Sequence, residues 1–340
     1  MTASASRSRL LTILLVTAMS SICAAQTYTV TDLGTLSSGG YSVARSVNAT
    51  GEVTGAAGNS NSNLSSVFLY SKGSMTNLGT LGGPSGIGNG INASGQIAGY
   101  STNSAGTYHA FLANGGKLAD IGDLGGGSAV AYGINDVGQV VGSAVTAKGE
   151  NHPFLYSGGK MIDLGTLGSS GNSWWNVASS VNNSGVVVGT SYDASGNFFG
   201  FTWSNGKMTK MGTLGGSWSQ AYAINNKGQI TGQAYLKNGL AHAFVTSGGK
   251  LVDLGTINGP FSTTWGLGVN NSGVVVGYST FSNTYHAFVY SGGKMKDLNK
   301  LIPAGSGWVL LDADSINDSG QIVGAGMRNG QQHGFLLTPH

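Results

Sequence analysis

The chain has 340 residues, of which only 9% are charged, with 16 Lys and Arg against 13 Asp and Glu, 59 Gly and a single Cys. So few charges of nearly balanced sign argue against nucleic-acid binding, which needs a basic stripe. One Cys leaves no disulfide framework to hold a small fold together.

Residues 1–25 read as a secretory signal peptide. Arg7 and Arg9 give a positive start, Leu10–Met19 a short apolar run, and Cys23-Ala24-Ala25 a small-residue cleavage site before Gln26. The run is too short for an ordinary membrane span. Cleavage near Ala25 removes the Cys and two Arg, leaving fourteen basic and thirteen acidic side chains. Secretion to the periplasm or the extracellular space is expected, where a chain without thiols needs no reducing environment. Residues 26–340 should form a single domain, and a monomer is expected.

From Tyr28 onward one pattern recurs. An Asp-Leu-Gly-like segment falls at Asp32, Asn77, Asp120, Asp163, Lys210, Asp253 and Asp297, in steps of 43 to 47 residues, and the chain ends 43 residues after the last. Seven units follow, each with four strand-like runs: a (S-x-A-x-x-I-N), b (G-Q-V-V-G), c (H-A-F-L-Y) and d (M-x-D-L-G). N-x-x-G between a and b, as in Asn135-Asp136-Val137-Gly138, suits a type I turn followed by a left-handed residue. Gly158-Gly159 between c and d predicts a two-residue primed turn. Four short strands per unit with no helical period predict an all-β fold, a seven-bladed β-propeller of four-stranded antiparallel blades.

Within each unit, small residues stand four and two places before the turn Asn (Ala131 and Gly133, for example). Alternation along a strand would put both on one face, at the crowded axis, so a should be innermost. Strand c supplies Phe68, Phe111, Phe154, Phe201, Phe244, Phe288 and Phe335 as core. His109, His152, His242, His286 and His333 each open a strand c. Asp120, Asp163, Asp253 and Asp297 follow the first four by eleven residues, and where the His is replaced (Ser66, Phe199) so is the Asp (Asn77, Lys210). His333 has no downstream Asp and Asp32 has no upstream His. If Tyr28–Leu36 supplies strand d of the last blade, all five pairs are complete and the ring is closed by its N-terminal strand, without free edges.

The tripeptides His109-Ala110-Phe111, His242-Ala243-Phe244 and His286-Ala287-Phe288, with their DLGTLGG-like and IN-x-x-G-x-V-x-G flanks, resemble the HAF family of extracellular bacterial repeats. The resemblance covers residues 28–340; copies one and four depart from it with Ser66-Val67-Phe68 and Phe199-Gly200-Phe201. It implies export and a propeller-like repeat, and brings no established activity or catalytic residues. The blade plan is also similar to kelch repeats, by analogy alone.

The His–Asp pairs recur around the ring, which speaks for strand-tying hydrogen bonds and not for catalysis or metal binding. Asn48, Asn92, Asn182, Asn270 and Asn317 stand in Asn-x-Ser/Thr triplets, which turn chemistry explains without glycosylation. Asp312 to Asp318 lacks the spacing and closing Glu of a calcium loop, and neither cofactor nor metal is expected. Binding is expected where the copies differ, on the face carrying the d–a and b–c connections. That face holds Tyr41, Trp174, Trp175, Trp218, Trp265 and Trp308. Three places before the turn Asn stand Arg45, Asn89, Tyr132, Ser179, Tyr222, Leu267 and Asp314, which should line the mouth of the channel.

The first expectation is a secreted, non-enzymatic binding or surface-interaction module, its ligand open, with carbohydrate or another surface macromolecule as candidates. Trp residues that only fill gaps between blades are the plainer alternative. A second reading is a propeller hydrolase or lyase at the channel mouth, for which Asp123, Asp312, Asp314 and Arg45 are the non-repeated candidates, with Asp312 and Asp314 on one strand. A third is a purely structural envelope or matrix protein.

Overall fold

The computed structural model describes residues 26–59, 64–168, 173–281 and 284–340; the leader assigned to residues 1–25 lies outside them. Seven antiparallel sheets follow one another along the chain. The first blade is Gly40–Val47, Val53–Asn59, Ser65–Ser71 and Ser74–Gly79, and five more repeat its order of neighbouring strands. In the seventh, Ile322–Arg328 pairs with Gln331–Pro339, whose outer partner is Tyr28–Asp32 from the start of the described chain. Tyr28 faces Pro339 and Asp32 faces Phe335 in that register. The ring is therefore closed by the N-terminal strand.

The core is built on one cross-strand pair used seven times. Each strand-c Phe is fully buried and sits opposite a strand-b Gly, as Phe154 opposite Gly142 and Phe335 opposite Gly324. Burying each Phe stabilises the fold by about 1.5–3 kcal/mol. A Cβ on Gly142 would lie 2.8 Å from the Phe154 ring and run into the Val130 carbonyl oxygen. The glycine is thus required by close approach from two sides. The other repeated glycine, Gly138, has φ +80 and ends the a–b turn, and Gly158-Gly159 has φ +58 and +80, as the primed turn demands.

Strand a is innermost, but its two small residues do not share a face. In blades one to six the register shifts between them: Ala131 faces Gly142, yet Gly133 faces Val141. The extra residue makes a β-bulge, which breaks the period of two and turns side chains toward the axis. Ala131 and its equivalents Ala44, Ala178, Ala221 and Ala313 are sealed between blades, whereas Ser46, Gly90, Gly133, Ser180, Ala223, Gly268 and Ser315 line the channel. In the seventh blade the inner strand is interrupted altogether, as Trp308–Leu310 and Ser315–Ile316. Asp312 and Asp314 therefore lie in this break and not on a strand.

At the a–b turns seven Asn side chains close a ring. Each Nδ2 donates to the turn-Asn carbonyl of the next blade, from Asn48 to Asn92 (3.1 Å) through to Asn317 back to Asn48 (2.9 Å). Their Oδ1 atoms accept backbone N–H groups four residues on, as from Gln139 to Asn135 (2.8 Å). All seven are buried, so the Asn-x-Ser/Thr triplets are turn chemistry.

All five His–Asp pairs form, through Nδ1 in every case: His109–Asp120 (2.6 Å), His152–Asp163 (2.8 Å), and His242–Asp253, His286–Asp297 and His333–Asp32 (each 2.9 Å). The same Asp also accepts a backbone N–H two residues on, as from Gly165 to Asp163 (2.8 Å). In the fourth blade, where Phe199 and Lys210 replace the pair, the Lys210 ammonium lies 3.3 Å from the Phe199 ring centroid and 3.1 Å from Asp193. A cation–π contact and a Lys210–Asp193 ion pair stand where the other blades have the His–Asp hydrogen bond.

Candidate functional site

The residue three places before the turn Asn, which is the bulged residue in blades one to six and lies in the strand break of the seventh, varies between blades. Arg45, Asn89, Tyr132, Ser179, Tyr222, Leu267 and Asp314 all line one cavity of about 560 Å³ at the channel mouth, within the usual range for small-molecule sites. Ile87 and Val177 join them from two residues upstream, with Tyr100 from a strand b, and Trp174 and Trp175 from the connection into blade four. These two Trp are 71% and 55% exposed among the described residues, so they give the mouth an aromatic rim.

The other aromatics named from the sequence lie elsewhere. Trp218 packs between blades, its ring 4.2 Å from Tyr235 and 5.9 Å from Phe198. Trp265 stacks on Tyr278 at 4.5 Å. Trp308 meets Phe335 edge-on at 6.1 Å. Tyr41 is half-buried on the first inner strand, against Gly58. None of the four lines the mouth cavity.

Charge enters the mouth from one side. Arg45 Nη1 donates to Asp314 Oδ2 at 2.7 Å, joining the first blade to the seventh, and the Asp314 charge raises the Arg45 pKa further. Asp312 is half-buried and accepts the Ala325 N–H on Oδ1 (2.6 Å). Burial, helped by the Asp314 charge, pushes its pKa up to about 7. Burial also raises Asp314, against the pull of Arg45. The Tyr100, Tyr132 and Tyr222 phenols are pushed up by burial, so they remain neutral hydroxyls; that of Tyr222 donates to Gln220 Oε1. Asp123 is not part of this group. Its carboxylate caps the backbone of Gly125 and Gly127 in an exposed connection. Asn317 and Asp318 belong to the rings of turn residues at the other end of the channel, apart from Asp314.

Tyr100, Ile87 and Val177 escaped sequence reasoning. For Ile87 and Val177 a signal existed, because the residue five places before the turn Asn also varies: Val43, Ile87, Val130, Val177, Gln220, Trp265, Asp312.

No family model matches the sequence, and no curated relative does. The fold is similar to the β-propeller domain of the Trilobed protease from Pyrococcus furiosus, with a TM-score of 0.56 and 11% identity over 88% of this chain and 95% of that one. That domain is described as having an open velcro topology, whereas here the first strand pairs with the last. A puromycin-hydrolyzing peptidase from Mycobacterium tuberculosis gives a TM-score of 0.53 at 11% identity over 84% of this chain and 49% of that one. TolB from Acinetobacter baumannii gives 0.51 at 12% over 85% and 63%. The chain spans about half the length of the peptidase and under two thirds of TolB. At such identities these likenesses establish the propeller and nothing of its chemistry.

Proposed function

We propose that this is an exported, non-enzymatic binding propeller whose ligand, a carbohydrate, sits in the mouth cavity. The leader-like start and the HAF-type repeat support export. One observation carries the binding reading: blades that repeat their turns, Phe and Gly almost unchanged differ at the residue three places before the turn Asn, and all seven such residues meet in one cavity. A scaffold needs no such variety at its axis. Flat exposed Trp174 and Trp175 offer stacking faces for sugar rings, with phenol hydroxyls, Asn89 and Ser179 beside them for ring hydroxyls.

A glycan array probed with the mature chain, followed by titration of any hit, tests the proposal. Trp175→Ala should weaken a hit tenfold or more, about 1.4 kcal/mol, and an array without hits would remove carbohydrate as the ligand. A hydrolase is favoured by Asp312 alone, a carboxyl raised to about 7 by burial and so suited to general-acid work, although Asp312 is not among the residues that line the mouth cavity. Its neighbour Asp314 is tied to Arg45. A hydrolysis assay on every bound glycan, with Asp312→Asn beside it, separates the two readings.

A further inference from the structure

We propose that the face opposite the mouth docks on an anionic phospholipid surface and so turns the mouth outward into solvent. This goes beyond the binding reading and does not depend on what fills the cavity.

The outer strand of a blade is short and polarised. Lys117–Asp120, Lys160–Asp163, Lys250–Asp253 and Lys294–Asp297 each open on a Lys beside the c–d turn and end on an Asp, roughly 10 Å nearer the loops. Lys207 opens the strand of blade four in the same way. Each of these five Lys faces the last residue of its strand c, as Lys160 faces Ser157 and Lys117 faces Asn114. The identical register sets all five at one height around the ring. Lys72, in the c–d turn of blade one, and Lys227, in the a–b turn of blade five, join them. Both kinds of turn lie at the same end because successive strands of a blade are antiparallel.

All seven Lys are exposed, and none makes an ion pair among the described residues. Three acids share their end: Glu52, Asp136 and Asp318. These sit in or beside the a–b turns, close to the axis. Asn48 and Ser71 donate to Glu52, and the two Asp accept backbone N–H groups of the neighbouring blade. Toward the loops the remaining ten acids outnumber the remaining seven bases. A chain whose charges nearly cancel is therefore basic at its tight-turn end and acidic at the other.

Shape selects the partner. Lys side chains ringed at one height meet a plane together, whereas a rod such as a nucleic-acid duplex would touch only a few of them. Negative headgroups in a plane raise partition by about fivefold for each Lys brought near. The exposed aromatic rings Tyr108, Tyr132, Trp174, Trp175, Phe261 and Tyr285 all stand at the loop end. Docking at the Lys end is thus by charge, reversible and screened by salt.

The test is co-sedimentation of the mature chain with phosphatidylcholine vesicles, with and without phosphatidylglycerol. At low salt the anionic vesicles should bind at least about tenfold more tightly. In about 1 M NaCl, where the Debye length is roughly 3 Å, that difference should vanish. Lys117→Gln, Lys160→Gln and Lys250→Gln together should weaken binding about a hundredfold. Lys148→Gln with Lys237→Gln, in b–c connections at the loop end, should change it by less than about twofold. Melting curves confirm that both variants are folded. Equal uptake by neutral vesicles, or equal loss in the two variants, overturns the proposal. Tighter binding to a DNA duplex than to anionic vesicles, lost in the triple variant, overturns it in favour of a nucleic acid. None of these readouts involves a sugar, so an empty glycan array leaves the result standing.

Discussion

Nδ1 of His333 and Oδ1 of Asp32 lie 2.9 Å apart across 301 residues of sequence. The Gly34 N–H and the Arg328 guanidinium meet the same carboxylate. Against the partial desolvation that opposes them, these bonds with His333 hold Asp32 below the usual carboxylate range. Asp32→Ala should cost about 1–3 kcal/mol, as loss of a charge-assisted bond does, read from urea midpoints. Deleting residues 26–36 removes the whole outer strand and exposes the edge of Gln331–Pro339. That variant should aggregate or fail to fold, and a soluble monomer melting at the wild-type temperature would contradict closure by this strand.

The glycines divide into two kinds with different costs. Gly142→Ala drives a methyl into the Val130 carbonyl and against Phe154, so the blade must open at its core. A loss above about 3 kcal/mol is expected, in line with overpacking of a rigid interior. Gly149→Ala meets no atom within 4 Å and bears only its positive φ of +82. Its cost should stay near 1–2 kcal/mol. Equal losses for the two in denaturant titrations would mean that the close Gly–Phe packing is not what holds the blade.

The Asn ring predicts both a stability loss and a missing modification. Asn135 donates to the Asn182 carbonyl (2.9 Å) and to Gln139 Oε1 (2.7 Å) while accepting the Gln139 N–H. Asn135→Ala leaves these buried partners unsatisfied, at about 1–3 kcal/mol for each group that water does not reach. For the same reason Asn92, at 2% exposure, should carry no glycan when the chain is secreted from a glycosylating host. A mass increase that glycosidase treatment removes, mapped to Asn92, would show that the turn opens far more readily than its hydrogen bonds imply.

The blade count, the buried Phe, both turn types and the clasp were legible because each rests on local chemistry repeated seven times or on a pairing with one odd member. Asp32 and His333 stood out as the unmatched halves of an otherwise regular series. The bulge was not legible. Ala131 and Gly133 have the spacing of one face, and only the shift of register beside Gly142 shows that Tyr132 is the extra residue. Its consequence was nonetheless visible as variation at one position, which is why the mouth residues could be named while their mechanism could not. Trp218 and Trp265 mark the opposite limit. Sequence places them on the correct face, but whether a ring is free or stacked depends on Tyr235 and Tyr278, which come from other strands.

Stability should rise on mild acidification. An unfolded Asp titrates near pH 4, whereas Asp312 in the native protein keeps its proton to about 7. Between those values the native state binds a proton that the unfolded chain has lost, so stability falls as pH rises, by up to about 1.4 kcal/mol per pH unit, and levels off above. Asp314 is shifted in the same direction. Asp32 and Asp253 are shifted downward, so their contribution is present above pH 4 and is lost as pH falls below it. The optimum should therefore lie on the acid side of neutrality. Asp312→Asn should flatten the upper limb in urea titrations stepped from acid to alkaline pH; parallel curves for variant and wild type would show that Asp312 ionises normally.

Two tryptophans on one face should answer opposite questions. Trp175 touches Phe198 only edge-on at 5.9 Å and is 55% exposed, so Trp175→Ala removes little packing. Its melting should move by less than about 1 kcal/mol in stability, as for other exposed positions, while ligand affinity falls at least tenfold. Trp218 lies between Phe198 of one blade and Tyr235 of the next. Trp218→Ala opens a gap there and should cost about 2–4 kcal/mol, toward the lower end for a ring that keeps some contact with water. Binding by the folded fraction should be retained, since Trp218 does not line the mouth. The pair is decisive because the two changes remove the same side chain. Collapse of the Trp175 variant would make the rim a packing element and withdraw the stacking surface on which the sugar reading depends.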